Sequence, residues 1–155
     1  MMKLRILSIT NKPAAWLHQG VSHFMTKFPP GLRPELVEIS SNNSIREVKS
    51  KLSDERDRIK NRLNTGSVLI VLDERGESIT SSELAKKLDS WMLDDRSVDF
   101  IVGGTEGLHL SLKAEANELF SLSRLTLPHQ MARLFLVEAL YRASTILFNH
   151  PYHRS

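Results

Sequence analysis

The stretch FSLSRLTLPHQMAR, residues 120–133, is rich in turn-forming residues and lies between two apolar elements. Before it, VDFIVGGTEG (residues 98–107) reads as a buried strand that runs into glycines. After it, LFLVEALYRASTILFN (residues 134–149) reads as a helix. Ligands of open α/β sheets bind beyond the carboxyl ends of the strands, where such loops meet. The stretch therefore predicts the position of the functional site.

Outward from this stretch, apolar runs alternate with helix-spaced apolar residues along the whole chain. The run LIVL (residues 69–72) is typical of a central parallel strand buried on both faces. The alternation predicts one domain spanning residues 1–155, a three-layer α/β fold with a mostly parallel sheet. Strands are predicted at Leu4–Ile9, Glu35–Ile39, 67–73, Val98–Val102 and Leu119–Leu122, and helices at 14–28, 44–63, 81–92, 111–118 and 129–148.

Two pairs of residues predict helix starts through capping boxes, in which a Ser or Thr and a Glu three residues later bond each other's backbone amides. Ser44 with Glu47 predicts the start of the second helix, and Thr80 with Glu83 the start of the third. Ser111 is predicted to cap the short helix that follows the glycine-rich turn.

The composition excludes several classes of protein. The 155 residues contain no cysteine, which excludes disulfides and thiolate metal sites and favours the cytoplasm. The apolar run at the amino terminus is too short for a membrane span, so no membrane association is expected. No spacing of histidines or carboxylates resembles a metal site.

The net charge of +3 is unevenly distributed. Residues 1–67 carry 12 basic and 6 acidic side chains, and residues 124–155 carry 4 and 1, whereas the segment between them is acidic. Basic ends suit a polyanion, and the basic helix over residues 44–63 is the element most suited to phosphate contacts. The same helix also reads as a solvated surface helix with internal ion pairs.

Four motifs are candidates for chemistry. The turn Gly103-Gly104-Thr105-Glu106-Gly107 allows a close backbone approach to a ligand, yet it matches neither the dinucleotide fingerprint nor a P-loop. Asp73 ends a central strand, where a ligand contact and a turn are equally plausible. The segment 125–129 (LTLPH) offers backbone groups to a flat heterocycle, with His129 and Arg133 on one helix face. The tail NHPYHRS (149–155) combines aromatic and basic groups suited to RNA, although chain ends are often disordered.

Taken together, LIVLDERGE, IVGGTEGL, FSLSRLTLPHQMARLFLVEALYRA and NHPYHR resemble the RlmH family over the whole chain. These are SPOUT-class methyltransferases that methylate N3 of a pseudouridine in 23S ribosomal RNA. The resemblance implies a SPOUT fold with a deep C-terminal trefoil knot, a homodimer, and assembled ribosomes as substrate. It also implies S-adenosyl-L-methionine as methyl donor and S-adenosyl-L-homocysteine as product. A knot is a rare exception to the rules of chain topology, so the apolar pattern alone would not predict it.

The resemblance also implies the site residues. The donor would contact Leu72, Asp73, Gly103, Gly104, Glu106, Gly107 and the loop formed by Leu122, Ser123, Arg124, Leu125, Thr126, Leu127 and Pro128. The catalytic candidates are His129, Tyr152, His153 and Arg154. Arg124 stands where the family commonly has a small residue and places a charge beside the donor.

Methylation at N3 requires removal of a proton whose pKa lies well above neutral, so a base or an anion-stabilising environment is needed. The residues leave open which side chain, if any, acts as that base. The alternative to an enzyme is a non-catalytic RNA-binding or ribosome-binding α/β module, which would explain the basic ends but not the glycine turn and its neighbouring loop.

Overall fold

The computed structural model describes residues 1–154, which form a five-stranded, entirely parallel sheet in the order β2-β1-β4-β3-β5. This confirms the predicted α/β class and parallel sheet. The strands are β1 (Leu4–Ile9), β2 (Glu35–Ile39), β3 (Val68–Ser78), β4 (Val98–Val102) and β5 (Glu118–Ser121). The helices are α1 (Ala15–Met25), α2 (Val48–Lys60), α3 (Ser81–Leu93), α4 (Leu110–Glu115) and α5 (His129–Leu147), followed by a 3-10 turn at Pro151–Arg154.

The helices cover both faces of the sheet. On one face, apolar residues of α1, α3 and α5 pack with Phe100 and Phe120 in the larger core. On the other face, Ile59 of α2 and Leu112 of α4 pack against Val71 and Ile101 in the smaller core. Central strand β4 is buried along its whole length, and four of its five residues are apolar, as expected for a strand covered on both faces. Its one charged residue, Asp99, is also buried.

Local hydrogen bonds correct two of the predicted helix starts. The Ser44 amide and hydroxyl both donate to Asn42 Oδ1, so Ser44 forms a turn and α2 begins at Val48 without a side-chain cap. At α4, His109 rather than Ser111 is the cap, because His109 Nδ1 accepts the Ser111 amide. Ser44 bonds within a local turn instead of to a helix end, whereas at α4 the capping group is the imidazole of the residue before the helix.

The remaining differences lie at element ends. The capping box of α3 is confirmed: the Glu83 amide donates to Thr80 Oγ1, and the Thr80 amide donates back to Glu83. Helices α1 and α4 are shorter than predicted, ending at Met25 and Glu115, and β5 begins one residue early at Glu118. Strand β3 does not end at Asp73 as predicted but continues to Ser78. None of the helices within residues 1–154 combines the length and apolarity that crossing a bilayer requires.

A buried ion pair ties the amino ends of the two central strands together. The Arg5 guanidinium on β1 donates to both oxygens of Asp99 on β4, at 2.8 and 3.1 Å. It also donates to the Arg62 carbonyl, and the Asn64 amide donates to Asp99. Each charge therefore has several partners, and the loop before β3 is attached to the sheet.

Removing one partner would leave an uncompensated buried charge. Asp99→Ala is expected to lower the free energy of unfolding by about 3 to 5 kcal/mol, as measured by urea denaturation. Glu115→Ala is the control, because it breaks only the exposed pair with Lys60 and should cost less than about 1 kcal/mol. Equal losses in the two variants would contradict a stabilising role for the buried pair.

Candidate active site

A cavity of about 780 Å³ opens at the carboxyl ends of β3, β4 and β5. This volume falls within the range of small-molecule sites. Apolar side chains form much of its wall, with polar groups at a few positions. The lining residues are Leu72, Asp73, Glu74, Val102, Gly103, Gly104, Thr105, Gly107, Leu108, Lys113, Phe120, Leu122, Ser123, Leu125, Thr126, Leu127, Pro128, His129 and Ala132.

The glycine turn after β4 closes one side of the cavity. The Gly107 amide donates to the Gly104 carbonyl at 3.1 Å, and Gly107 has φ +81°, which an L side chain rarely adopts. A Cβ at Gly103 would lie 2.9 Å from the Gly107 carbonyl oxygen, and one at Gly104 would lie 3.0 Å from Ile9. Side chains at these positions would therefore disturb the turn and its packing on β1.

The loop after β5 forms the opposite wall. The Ser121 hydroxyl donates to the Ser123 carbonyl, and the Leu125 amide donates to the Ser123 hydroxyl. The Thr126 hydroxyl donates to the Glu74 carboxylate at 2.7 Å, which attaches the loop to β3. The two bonds to Ser123 form local bends, and the bond to Glu74 fixes the loop beside the cavity.

Strand β3 brings its carboxylates to the cavity through an irregular turn. Leu72 and Glu77 both align with Phe120 of β5, so residues 73–76 form an excursion from the ladder. A Cβ at Gly76 would lie 2.6 Å from the Leu119 carbonyl oxygen, so only glycine fits this close approach.

Asp73 is held by an ion pair with Lys113 of α4 at 3.0 Å, and the Arg75 amide donates to it. Burial acts to raise the pKa of the Asp73 carboxyl, but these two partners outweigh burial and hold its pKa below the usual value. Asp73 is therefore an ionised acceptor at neutral pH. Lys113 also lines the cavity and places a positive charge in its wall.

A second, polar recess of about 190 Å³ adjoins the cavity. Gly104, Thr105 and His129 line both spaces. The rest of the recess is lined by Ile9, Thr10, Asn11, Lys12, Ser41, Asn43, Lys51, Glu55 and Gln130. Among residues 1–154, His129 is the one ionisable side chain that lines both spaces.

Most of the predicted donor-contact residues meet at the cavity, but Glu106 and Arg124 do not line it. Both are exposed, so the charge of Arg124 points to solvent more than to a ligand. The sequence interpretation missed Lys113, Glu74 and Ala132. No spacing in the sequence marks Lys113, because only the fold brings α4 beside the end of β3.

The tail lies at the opposite end of α5 from its own cavity. The rings of Tyr152 and Tyr141 are in tilted contact, with their centroids 4.8 Å apart. The Tyr152 hydroxyl donates to Glu138, which also accepts from Arg142. Burial, followed by this bond to a carboxylate, raises the pKa of the Tyr152 phenol. Glu138 lies nine residues along α5 from His129, a rise of about 13 Å, so within one chain Tyr152 contacts the middle of the helix and not His129.

The described residues, 1–154, contain no group of three or more His, Cys, Asp or Glu side chains arranged to hold a metal.

Comparison with known proteins shows one family across the whole chain. A family model described as "Predicted SPOUT methyltransferase" matches residues 2–153. Two proteins named "Ribosomal RNA large subunit methyltransferase H" are similar to it. The one from Dechloromonas aromatica is 40% identical over 154 residues, and the one from Paraburkholderia xenovorans is 45% identical over 155 residues. Each alignment covers 99% of both chains.

Two solved structures share the fold at 16% sequence identity. A probable methylase family protein from Haemophilus influenzae superposes with a TM-score of 0.59, over 97% of this chain and 70% of the other. A probable methyltransferase from Bordetella pertussis superposes with a TM-score of 0.57, over 92% and 95%.

The ion pair in the cavity leads to a prediction about pH. Lys113→Met is expected to raise the pKa of Asp73, because the substitution removes a positive charge that stabilises the ionised carboxylate, while burial still favours the neutral form. In the wild type the stabilisation from ionised Asp73 is present at neutral pH. It is lost as the pH falls through the depressed pKa, below the ordinary value of 3.8.

A carboxyl NMR titration of both proteins measures this shift. Lys60→Met, which breaks the exposed pair with Glu115, is the matched control and should leave the Asp73 titration unchanged. An identical Asp73 pKa in wild type and Lys113→Met would show that the ion pair does not set it.

Proposed function

The chain belongs to the SPOUT methyltransferase family, together with the ribosomal RNA large subunit methyltransferase H proteins, and on this premise we propose its reaction. It transfers a methyl group from S-adenosyl-L-methionine to N3 of a pseudouridine in 23S ribosomal RNA of assembled ribosomes. The observation that carries the proposal is the adjacency of an apolar cavity and a polar recess that share His129.

The chain's own residues fit the donor. Leu72, Leu122 and Leu127 offer apolar contacts to a flat base, and the loop after β5 offers backbone groups at its edge. Ionised Asp73 accepts hydrogen bonds from hydroxyl or ammonium groups, and Lys113 suits a carboxylate. The bound donor supplies a sulfonium whose methyl group is open to attack by a nucleophile.

The acceptor needs a base and a fixed orientation. Bond formation between N3 and the methyl carbon accompanies cleavage of the carbon–sulfur bond, and the N3 proton must leave before or during this step. We propose that His129 is the base that accepts this proton, because it borders both the cavity and the recess. Holding N3 in line with the methyl group supplies much of the remaining acceleration.

We also propose that the C-terminal segment forms the deep trefoil knot. The loops after β4 and after β5 both contribute residues to the wall of the same cavity, and the chain that follows β5 returns through α5 to pack on α1 and α3. The C-terminal chain therefore passes close to the loop after β4, as a knot in this region requires.

A homodimer would reconcile the distant tail with a role in catalysis. Trp16 on α1 and Phe135 on α5 are 52% and 40% exposed, which leaves aromatic surface beside the C-terminal helix. If α5 packs antiparallel to its symmetry mate, Tyr152, His153 and Arg154 of one protomer approach the cavity of its partner. Each active site then contains residues of both protomers.

Donor binding and methyl transfer test this function together. S-adenosyl-L-methionine at about one hundred times its Kd should add about 2.7 kcal/mol to the free energy of unfolding. Ala132→Trp should abolish this stabilisation, because the indole fills part of the cavity. Mass spectrometry of digested 23S ribosomal RNA should show a methyl group on N3 of one pseudouridine. RNA binding without donor binding or methylation would instead favour a non-catalytic module.

Mixing two inactive variants tests the composite site. A chain lacking residues 152–155 keeps its cavity, whereas the Ala132→Trp chain keeps its tail, and each alone should lose methyl transfer by orders of magnitude. After subunit exchange, half of the dimers are mixed and each holds one intact site, so about one quarter of wild-type activity should return. No recovery despite mixed dimers would show that the tail does not complete the partner's site.

A further inference from the structure

Glu55 lines the recess and has a buried carboxylate oxygen for which the described part of the chain supplies no hydrogen-bond donor. It is 4% exposed, on the face of α2 that points toward the loops after β1 and β2. Its Oε2 accepts a hydrogen bond from the Ser41 hydroxyl. Its Oε1 is buried with no hydrogen-bond partner, and within residues 1–154 Glu55 forms no ion pair. A buried carboxylate oxygen left without a donor is costly, so its retention points to a ligand that completes it.

The recess identifies the chemistry of that ligand. A carboxylate oxygen needs an N–H or O–H donor, and Lys12 and Lys51 in the same recess suit the negative charge of a nucleic acid. Gly104, Thr105 and His129 separate the recess from the donor cavity and line both. A nucleoside in the recess would therefore lie beside the methyl donor, where the acceptor must be.

Pseudouridine offers a donor that uridine lacks. Its glycosidic bond is made through carbon, which leaves N1 with a proton, whereas N1 of uridine carries the ribose. N1 and N3 flank the same carbonyl group of the ring. A pseudouridine can thus direct N3 toward the methyl donor while its N1–H points to a second acceptor.

We propose that the recess is the acceptor subsite and that Glu55 Oε1 accepts the N1–H of pseudouridine. Glu55 is then the residue that selects pseudouridine over uridine. This inference rests on the proposed function, because it assumes methyl transfer at N3. Lys12 and Lys51 then bind the neighbouring phosphates of the RNA and offset the negative charge of the Glu55 carboxylate.

Kinetics on two matched substrates test the assignment. Large ribosomal subunits carrying either pseudouridine or uridine at the target position are methylated by the wild type, Glu55→Gln and Glu55→Ala. The wild type should prefer pseudouridine. Glu55→Ala should lower kcat/KM on pseudouridine by about tenfold or more, with little change on uridine. Glu55→Gln keeps an oxygen acceptor without the charge and should lie between the two.

Two controls separate selection from folding and from donor binding. Asp57→Asn, on the exposed side of the same helix, should leave kcat/KM unchanged on both substrates. S-adenosyl-L-methionine affinity and thermal stability should be close to wild type in Glu55→Gln, because Glu55 does not line the donor cavity.

The outcomes are distinct. Equal losses on both substrates, or an unchanged preference, would overturn the role of Glu55 while leaving the proposed function intact. A wild-type protein that methylates neither substrate would overturn the proposed function, and the acceptor subsite with it.

Discussion

Pairing of β3 with both β4 and β5 is the constraint on which the site depends. Val71 aligns with Ile101, and Leu72 aligns with Phe120, so all three strands reach the same edge of the sheet together. Because every strand is parallel, each one delivers its following loop to that edge. The cavity is the space enclosed between these loops, and a one-residue slip of β3 would turn its side chains to the opposite face.

Charged side chains at the two ends of the sheet differ in how completely they are hydrogen-bonded. At the amino end, Arg5 and Asp99 are buried and bonded to each other and to backbone groups, which suits a stabilising role. At the carboxyl end, Asp73 borders an open cavity, and Glu55 keeps one buried oxygen without a partner. Polar groups that are satisfied stabilise the fold, whereas incompletely satisfied ones are available to a ligand.

Helix α5 connects the site to the surface beside the tail. It begins at His129, which borders both spaces, and its distant half holds Tyr152 through Glu138 and Arg142. Two copies of a straight helix packed in opposite directions bring each end beside the other copy's opposite end. The position of the tail is therefore compatible with a shared site between two protomers.

The sequence alone determined the α/β class, the parallel sheet, the bounds of β1, β2 and β4, and the segments 103–107 and 122–129 that form the cavity. Apolar runs and turn residues act locally, so their pattern is readable without a fold. Only the tertiary structure decided that Lys113 reaches Asp73, that Glu55 faces a recess, and that Arg124 points away. It also moved the start of α2 beyond Ser44. These outcomes depend on contacts between residues distant in sequence, or on competition between local hydrogen bonds, and neither is encoded in periodicity.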